Sequence, residues 1–220
     1  EELVKDPAVK GMWCVPKYSN PDGYVYPLET CERIAALSPA APDFALMWDN
    51  AYVIHTFEGE DPAFPDIIGL CRDAGHPDLA YEFASTSKVT FAGAGISCMA
   101  ASVGNIEYVL SLMKFQTIGP NKVNELMHVR FLKDRANTLK HMEKHAAFMK
   151  PKFDLVCDML ARDIEPLSIA SWNRPKGGYF VSLNAMPGTA KRTIALCRDA
   201  GVAMTAAGAT YPGGVDPEDT

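Results

Sequence analysis

An α/β fold followed by a long helix and a small α+β unit is what this sequence predicts, on three observations. Apolar runs of strand length, Lys10 to Pro16, Phe44 to Asp49 and Tyr81 to Ser85, each lead into a polar anchor. Helical segments lie between them. From residue 121 the chain turns helical, and two short strands then flank Lys176-Gly177-Gly178. Helices followed by a small mixed unit point to a second domain joined by a long helix.

The elements follow in order. Glu1 to Lys10 reads as the end of a helix, and the chain as an internal piece of a longer protein. Lys10 to Pro16, bounded by Gly and Pro, is expected to be a buried strand. Asn20-Pro21-Asp22-Gly23 has the residue order of a type I turn. Asn20 is either just a turn residue or a donor and acceptor at a strand's carboxyl end. Pro27 to Leu37 is an amphipathic helix, with Leu28, Cys31, Ile34 and Leu37 three apart. Phe44 to Asp49 is a second strand closing on a carboxylate. Ionised carboxylates are rarely buried without a partner. Asp49 and Tyr52 are therefore either a helix cap and a packing ring, or a pair serving one ligand where the chain bends. Asp61 to Asp78 is rich in Pro, Gly and Asp, with a short helix near Ile67 to Ala74.

Tyr81 to Gly95 organises the whole. A strand runs out into hydroxyls, then Lys88, then a glycine-rich exit. Ligands in open α/β sheets collect beyond the carboxyl ends of strands. A lysine in a low-polarity site there loses its proton more readily and can form a Schiff base. Ser85 and Ser87 offer hydroxyls to a phosphate, and Gly93 and Gly95 allow close backbone approach. Taken alone, Ser-x-Ser-Lys is a solvated loop; the anchors at Asn20, Asp49 and Tyr52 change that reading.

Ile96 to Val103 reads as a further buried strand and Asn105 to Met113 as a helix. Asn121 to Arg135 and Ala136 to Met149 are helical, with Leu139, Met142, Ala146 and Met149 on one face. Pro151 is expected to kink or interrupt this helix. Ile169 to Asn184 holds two strands, Thr189 to Ala200 a helix, and Val202-Ala203-Met204 starts a last strand.

Composition narrows the function. Lys+Arg number 21 against Asp+Glu 27, a net charge of -6 that argues against a nucleic-acid surface. No apolar run reaches the roughly 18 residues that span a bilayer. Six scattered cysteines, at 14, 31, 71, 98, 157 and 197, read as buried free thiols of a reducing cytoplasm. No Cys/His spacing points to a metal, and His141 with His145 reads as a polar helix face.

With these pieces assembled, the chain resembles a pyridoxal-phosphate enzyme of the aspartate aminotransferase fold, class I/II. The resemblance rests on Asn20-Pro21-Asp22-Gly23, Asp49-x-x-Tyr52, Ser85-x-Ser87-Lys88 and Gly177-Gly178-Tyr179-Phe180. Trp13 to Tyr18 and Thr90 to Gly95 are similar to a bacterial subgroup of aspartate aminotransferases. The resemblance implies a mixed, mostly parallel sheet with helices on both faces. It assigns residues 1–135 to part of a large cofactor-binding domain, and residues 136–220 to an interdomain helix and part of a small C-terminal domain.

It also implies roles. Lys88 carries the Schiff base with pyridoxal 5'-phosphate and shuttles the proton at Cα. Asp49 pairs with the pyridinium nitrogen, Tyr52 and Asn20 hydrogen-bond the phenolic oxygen, and Ser85 and Ser87 bind the phosphate. Asn20 also faces the substrate. At an effective dielectric of about 20, unit charges roughly 3–4 Å apart interact by about 4–5 kcal/mol, enough to move the ring-nitrogen pKa by about three units. The implied substrates are an amino acid, with aspartate foremost, and 2-oxoglutarate. A cytoplasmic homodimer is implied as well.

One position departs from the pattern. The family's phosphate-gripping arginine, eight residues after the lysine, is Ile96 here, with Ser97 a candidate substitute. Two further readings stay open: a lyase or decarboxylase using the same cofactor, and the effector domain of a transcription regulator built on this fold.

Overall fold

The three apolar runs become neighbouring parallel strands in the computed structural model, which describes residues 1–57 and 64–220. They are β1 (Gly11–Cys14), β2 (Ala45–Asp49) and β3 (Ala80–Ser85), and β4 (Ser97–Ala101) pairs antiparallel with β3. The sheet order is β1-β2-β3-β4. The crossover helices are α1 (Leu28–Ala35) and α2 (Ile67–Asp73). Because the strand order advances one way and such crossovers are right-handed, both helices fall on one face. There Cys31, Ala35, Ile67 and Cys71 enclose Leu46 and Trp48, which are fully buried. Each of those two side chains contributes roughly 1.5–3 kcal/mol by leaving water. Asp66 caps α2 by accepting the N–H of Gly69 at 3.0 Å.

Two strands expected to be buried are not. Among the described residues β1 and β4 are the sheet's edges, so each has a described neighbour on one side only. Trp13 on β1 is 65% exposed, and β4 carries no buried residue. Cys98 on β4 is exposed and Cys197 half-buried, whereas Cys14, Cys31, Cys71 and Cys157 are buried free thiols. Only the turn Leu3–Lys5 is helical in the first ten residues. The Pro- and Asp-rich stretch read from residue 61 begins outside the described residues. The Asn20 turn also differs from type I. Its Asn20–Pro21 peptide is cis, and the loop closes through the Gly23 N–H to the Ser19 carbonyl at 2.7 Å.

Three helices follow: α3 (Val103–Gln116), α4 (Lys122–Leu132) and α5 (Arg135–Asp163). Ser102, Asn121 and Asp134 cap them through side-chain oxygens. Pro151 does not interrupt α5, which runs through it to Asp163. From the next residue the Lys152 ammonium donates to the Phe148 carbonyl at 3.0 Å. Met142, Phe153 and Cys157 form the buried stripe of α5. β5 (Ala170–Trp172) and β6 (Leu183–Ala185) pair antiparallel around the glycines, followed by α6 (Ala190–Asp199). No strand forms at Val202 to Met204, since no described strand pairs with it and these residues are exposed. Among the described residues no helix is long and apolar enough to cross a membrane.

Candidate active site

β2 and β3 deliver their polar ends to the same edge of the sheet. Asp49 closes β2 opposite Phe83, and Ser85 closes β3 two residues further on. Asp49 starts no helix. Its Oδ1 accepts the N–H of Ala51 at 3.0 Å and bends the chain, which lets Tyr52 fold back and become buried. Lys88 then reaches over this ring, its Nζ 5.2 Å from the Tyr52 centroid. Burial first, then the Asp49 charge, then Tyr179, push the Tyr52 phenol above its ordinary value. Lys88 itself is exposed, so its surroundings are an aromatic floor rather than the expected low-polarity pocket.

The hydroxyl run is tightly folded. Ser85 is paired with Ser97 across β3 and β4. A Cβ on Gly95 would lie 2.5 Å from Ser87 Oγ, so that glycine permits the close approach to Ser87. Gly93 serves differently, through a φ of +81°. Ile96 uses its backbone: its N–H donates to Thr86 Oγ1 at 2.9 Å, and its carbonyl accepts the Thr86 N–H at 2.9 Å. Ser97 is exposed on the edge strand.

Asn20 belongs to an adjoining lining. It lines a cavity of about 520 Å³ together with Phe180, Asn184, Thr193 and Tyr211. Phe180 also meets Tyr52 edge-on at 6.0 Å, so it belongs to both linings. The Asn20 loop is held by the second unit. Asn173 donates to the Asp22 carbonyl at 3.2 Å, and Gly23 packs against Pro175.

The segment 176–180 docks as a short seam. Phe57 N–H donates to the Lys176 carbonyl and Gly178 N–H to the His55 carbonyl, both at 2.9 Å. A Cβ on Gly177 would collide with the His55 carbonyl and the Tyr18 ring, and Gly178 has φ +80°. Only glycine fits either position without displacement. Tyr179 is thereby delivered to the lysine loop, where its ring lies 5.3 Å from His55 and 6.1 Å from Tyr52.

Sequence reasoning passed over the histidines and threonines around this loop. His141 and His145 are not a polar helix face, for they point at Val89 and at each other. His128, buried on α4, takes Thr86 and Thr90. His128 and His141 meet loop residues 38 to 52 positions away, so no local pattern marks those contacts. The glycine pair was the one available signal. Among the described residues no group of three His, Cys, Asp or Glu side chains could hold a metal ion.

Comparison with known proteins adds to this geometry. The family described as aspartate amino-transferase matches residues 1–220. A protein of Mycolicibacterium smegmatis described as an aminotransferase is 50% identical over 220 residues, all of this chain and 51% of the relative. The crystal structure of an aspartate transaminase from Corynebacterium glutamicum has a TM-score of 0.96 at 45% identity, over 99% of this chain and 51% of that one. An α-aminoadipate aminotransferase from Thermus thermophilus, complexed with N-(5'-phosphopyridoxyl)-L-leucine, shares the fold at a TM-score of 0.72 and 20% identity, over 89% of this chain and 49% of that one. The chain spans about half the length of these relatives.

Proposed function

The chain belongs to the aspartate amino-transferase family, and from that premise we propose that the full-length protein transfers the amino group of aspartate, or a similar amino acid, to 2-oxoglutarate. The observation that carries the proposal is the convergence of Asp49, Tyr52 and Lys88 at the ends of β2 and β3. The amino donor follows the Corynebacterium glutamicum structure, which is described as an aspartate transaminase, and the acceptor follows from the family resemblance alone.

The residues suit pyridoxal phosphate. A carboxylate, an aromatic hydroxyl, an amine and paired serine hydroxyls are the donor set such a group requires, and Gly95 leaves backbone room beside Ser87. When bound, pyridoxal phosphate supplies a ring that takes up the electron pair left as Cα loses its proton. In this reading Lys88 holds the group through its amine and then carries the proton at Cα. Asp49 keeps the ring nitrogen protonated by its charge. Tyr52, with Asn20, donates to the ring oxygen, and Ser85 and Ser87 hold the phosphate beside the Gly95 approach. With Ile96 in place of an arginine, phosphate binding depends on hydroxyls and backbone N–H groups. The same reading keeps the division into residues 1–135 and 136–220 and a cytoplasmic homodimer.

The test uses the full-length protein with aspartate, 2-oxoglutarate and pyridoxal phosphate. Glutamate should form, and borohydride reduction should place the pyridoxyl label on Lys88. A label elsewhere would overturn the site. Carbon dioxide or an eliminated group in place of glutamate would overturn amino transfer.

A further inference from the structure

We infer that Tyr179 is a positioning residue for Lys88: with His55 it clamps the lysine's main-chain carbonyl, so that docking of the glycine seam fixes how the lysine leaves the backbone. This rests on the reading of Lys88 as the cofactor-bearing lysine.

The geometry is specific. Tyr179 Oη donates to the Lys88 carbonyl at 3.1 Å, and His55 Nε2 lies 3.1 Å from the same oxygen. A carbonyl only accepts, and it has two lone pairs. Both groups are therefore donors and the carbonyl is saturated. His55 carries its proton on Nε2. The neighbouring rings obey the same accounting. Tyr179 has spent its hydrogen on Lys88, so His145 Nδ1, 3.4 Å away, is the donor of that long contact. In a neutral ring His145 Nε2 is then bare. It faces His141 Nε2 at 3.2 Å, whose hydrogen goes to the Val89 carbonyl at 2.9 Å. These tautomers supply a hydrogen to both carbonyls and to the Tyr179 contact, and leave the two Nε2 atoms of His141 and His145 in contact without one between them. Burial, which holds His55 and His145 below the ordinary histidine value and Tyr179 above the ordinary phenol value, keeps these groups neutral.

Three separate segments thus grip two consecutive carbonyls: the loop after β2, the helix α5, and the bend at Gly177-Gly178-Tyr179 between β5 and β6. Lys88 has an exposed side chain, and its own contact in this group is the Tyr52 ring. The backbone clamp fixes where the side chain leaves the main chain. Tyr179 packs on both Tyr52 and His55, so removing only its hydroxyl leaves that packing in place.

The test compares full-length wild-type protein with Tyr179→Phe. The turn carrying Lys88 is closed by the Val89 and Thr90 amides, which donate to the Thr86 carbonyl at 2.9 and 2.8 Å. Loss of one restraining hydrogen bond should speed their hydrogen–deuterium exchange about tenfold in cofactor-free protein. In the loaded enzyme kcat should fall about tenfold with KM for the amino acid unchanged. His55→Leu, which removes the other donor, should do the same, and His55→Gln, which keeps an N–H donor, should restore slow exchange. These two variants decide the matter if Tyr179→Phe does not fold. Wild-type exchange in Tyr179→Phe or His55→Leu, or a change in KM alone, would overturn the clamp. Exchange needs no cofactor. Fast exchange in the variants, with no pyridoxyl label on wild-type Lys88, would therefore sink the functional reading and leave the clamp standing.

Discussion

Nε2 of His128 lies 2.8 Å from the hydroxyl of Thr90, and the same nitrogen is 2.9 Å from that of Thr86. Its Nδ1 donates to the Asn124 carbonyl at 2.9 Å, so Nε2 is the bare, accepting nitrogen. One buried ring on α4 thereby holds both threonines of the loop that carries Ser87 and Lys88. Replacing it with leucine removes the ring nitrogen that ties the two hydroxyls to α4 and leaves Thr90 Oγ1 only the Thr86 carbonyl at 3.1 Å, and His128→Leu should cost about 1–3 kcal/mol in the full-length protein. Urea denaturation reads this directly, and an unchanged midpoint would show that the loop is held by other means.

Asp49→Asn separates charge from hydrogen bonding. The amide can still accept the Ala51 N–H, so the turn that returns Tyr52 should survive. The negative charge is lost. Cofactor absorbance should remain close to wild type while kcat drops by a factor on the order of a thousand, as the 4–5 kcal/mol scale of such a pair allows. Near-normal turnover would remove Asp49 from the proposed role.

Lys88→Ala should abolish both the borohydride-stable label and glutamate formation. It should leave the melting temperature of the cofactor-free protein nearly unchanged, because the side chain's contact is with the face of the Tyr52 ring and not with the core. Labelling of another lysine in this variant would contradict the assignment.

The glycine seam makes a prediction about folding. Gly178→Ala places a Cβ 2.8 Å from that of Tyr18 at φ +80°, and it should destabilise by on the order of 2 kcal/mol. Gly177→Ala, which drives a methyl into the His55 carbonyl and the Tyr18 ring, should cost at least as much. Denaturation midpoints measure both, and tolerance of either would mean that the seam opens without penalty.

Acid should weaken the protein through the same region. Burial is the main cause that lowers the pKa of His55 and of His145, the latter also through His141. A folded value below the unfolded 6.5 means that the unfolded chain takes up protons first as pH falls. Their contribution is therefore complete above about pH 6.5 and is lost below it, as pH drops through the folded values. Midpoints at pH 7.5 and 5.5 should differ, and His55→Gln should narrow the gap. The variant comparison isolates His55 from Glu82, which burial shifts upward. An identical gap in the variant would contradict this linkage.

Much of the arrangement was readable in one dimension. Strand ends and their anchors show in sequence because both depend on local order: an apolar run, then Asp49 or Ser85, then a turn. The amphipathic period of α1 and the stripe of α5 are legible for the same reason. Burial was harder. β1 and β4 have strand composition, yet their exposure follows from standing at the sheet's edges, and edge position is set by pairing order. Pro151 was a sound local objection to a helix. The packed stripe of Met142, Phe153 and Cys157 on both sides of it outweighs one missing hydrogen bond.

By itself the sequence determined the α/β class, the family likeness and the candidate lysine, since these rest on residue types in fixed local spacing. Only the tertiary structure decided what holds that lysine. His55, His128, His141 and Tyr179 come from four different segments, and each meets the loop through a single polar atom. Contacts of that kind impose no period on the chain, because one hydrogen bond constrains a distance in space and nothing about the neighbours in sequence.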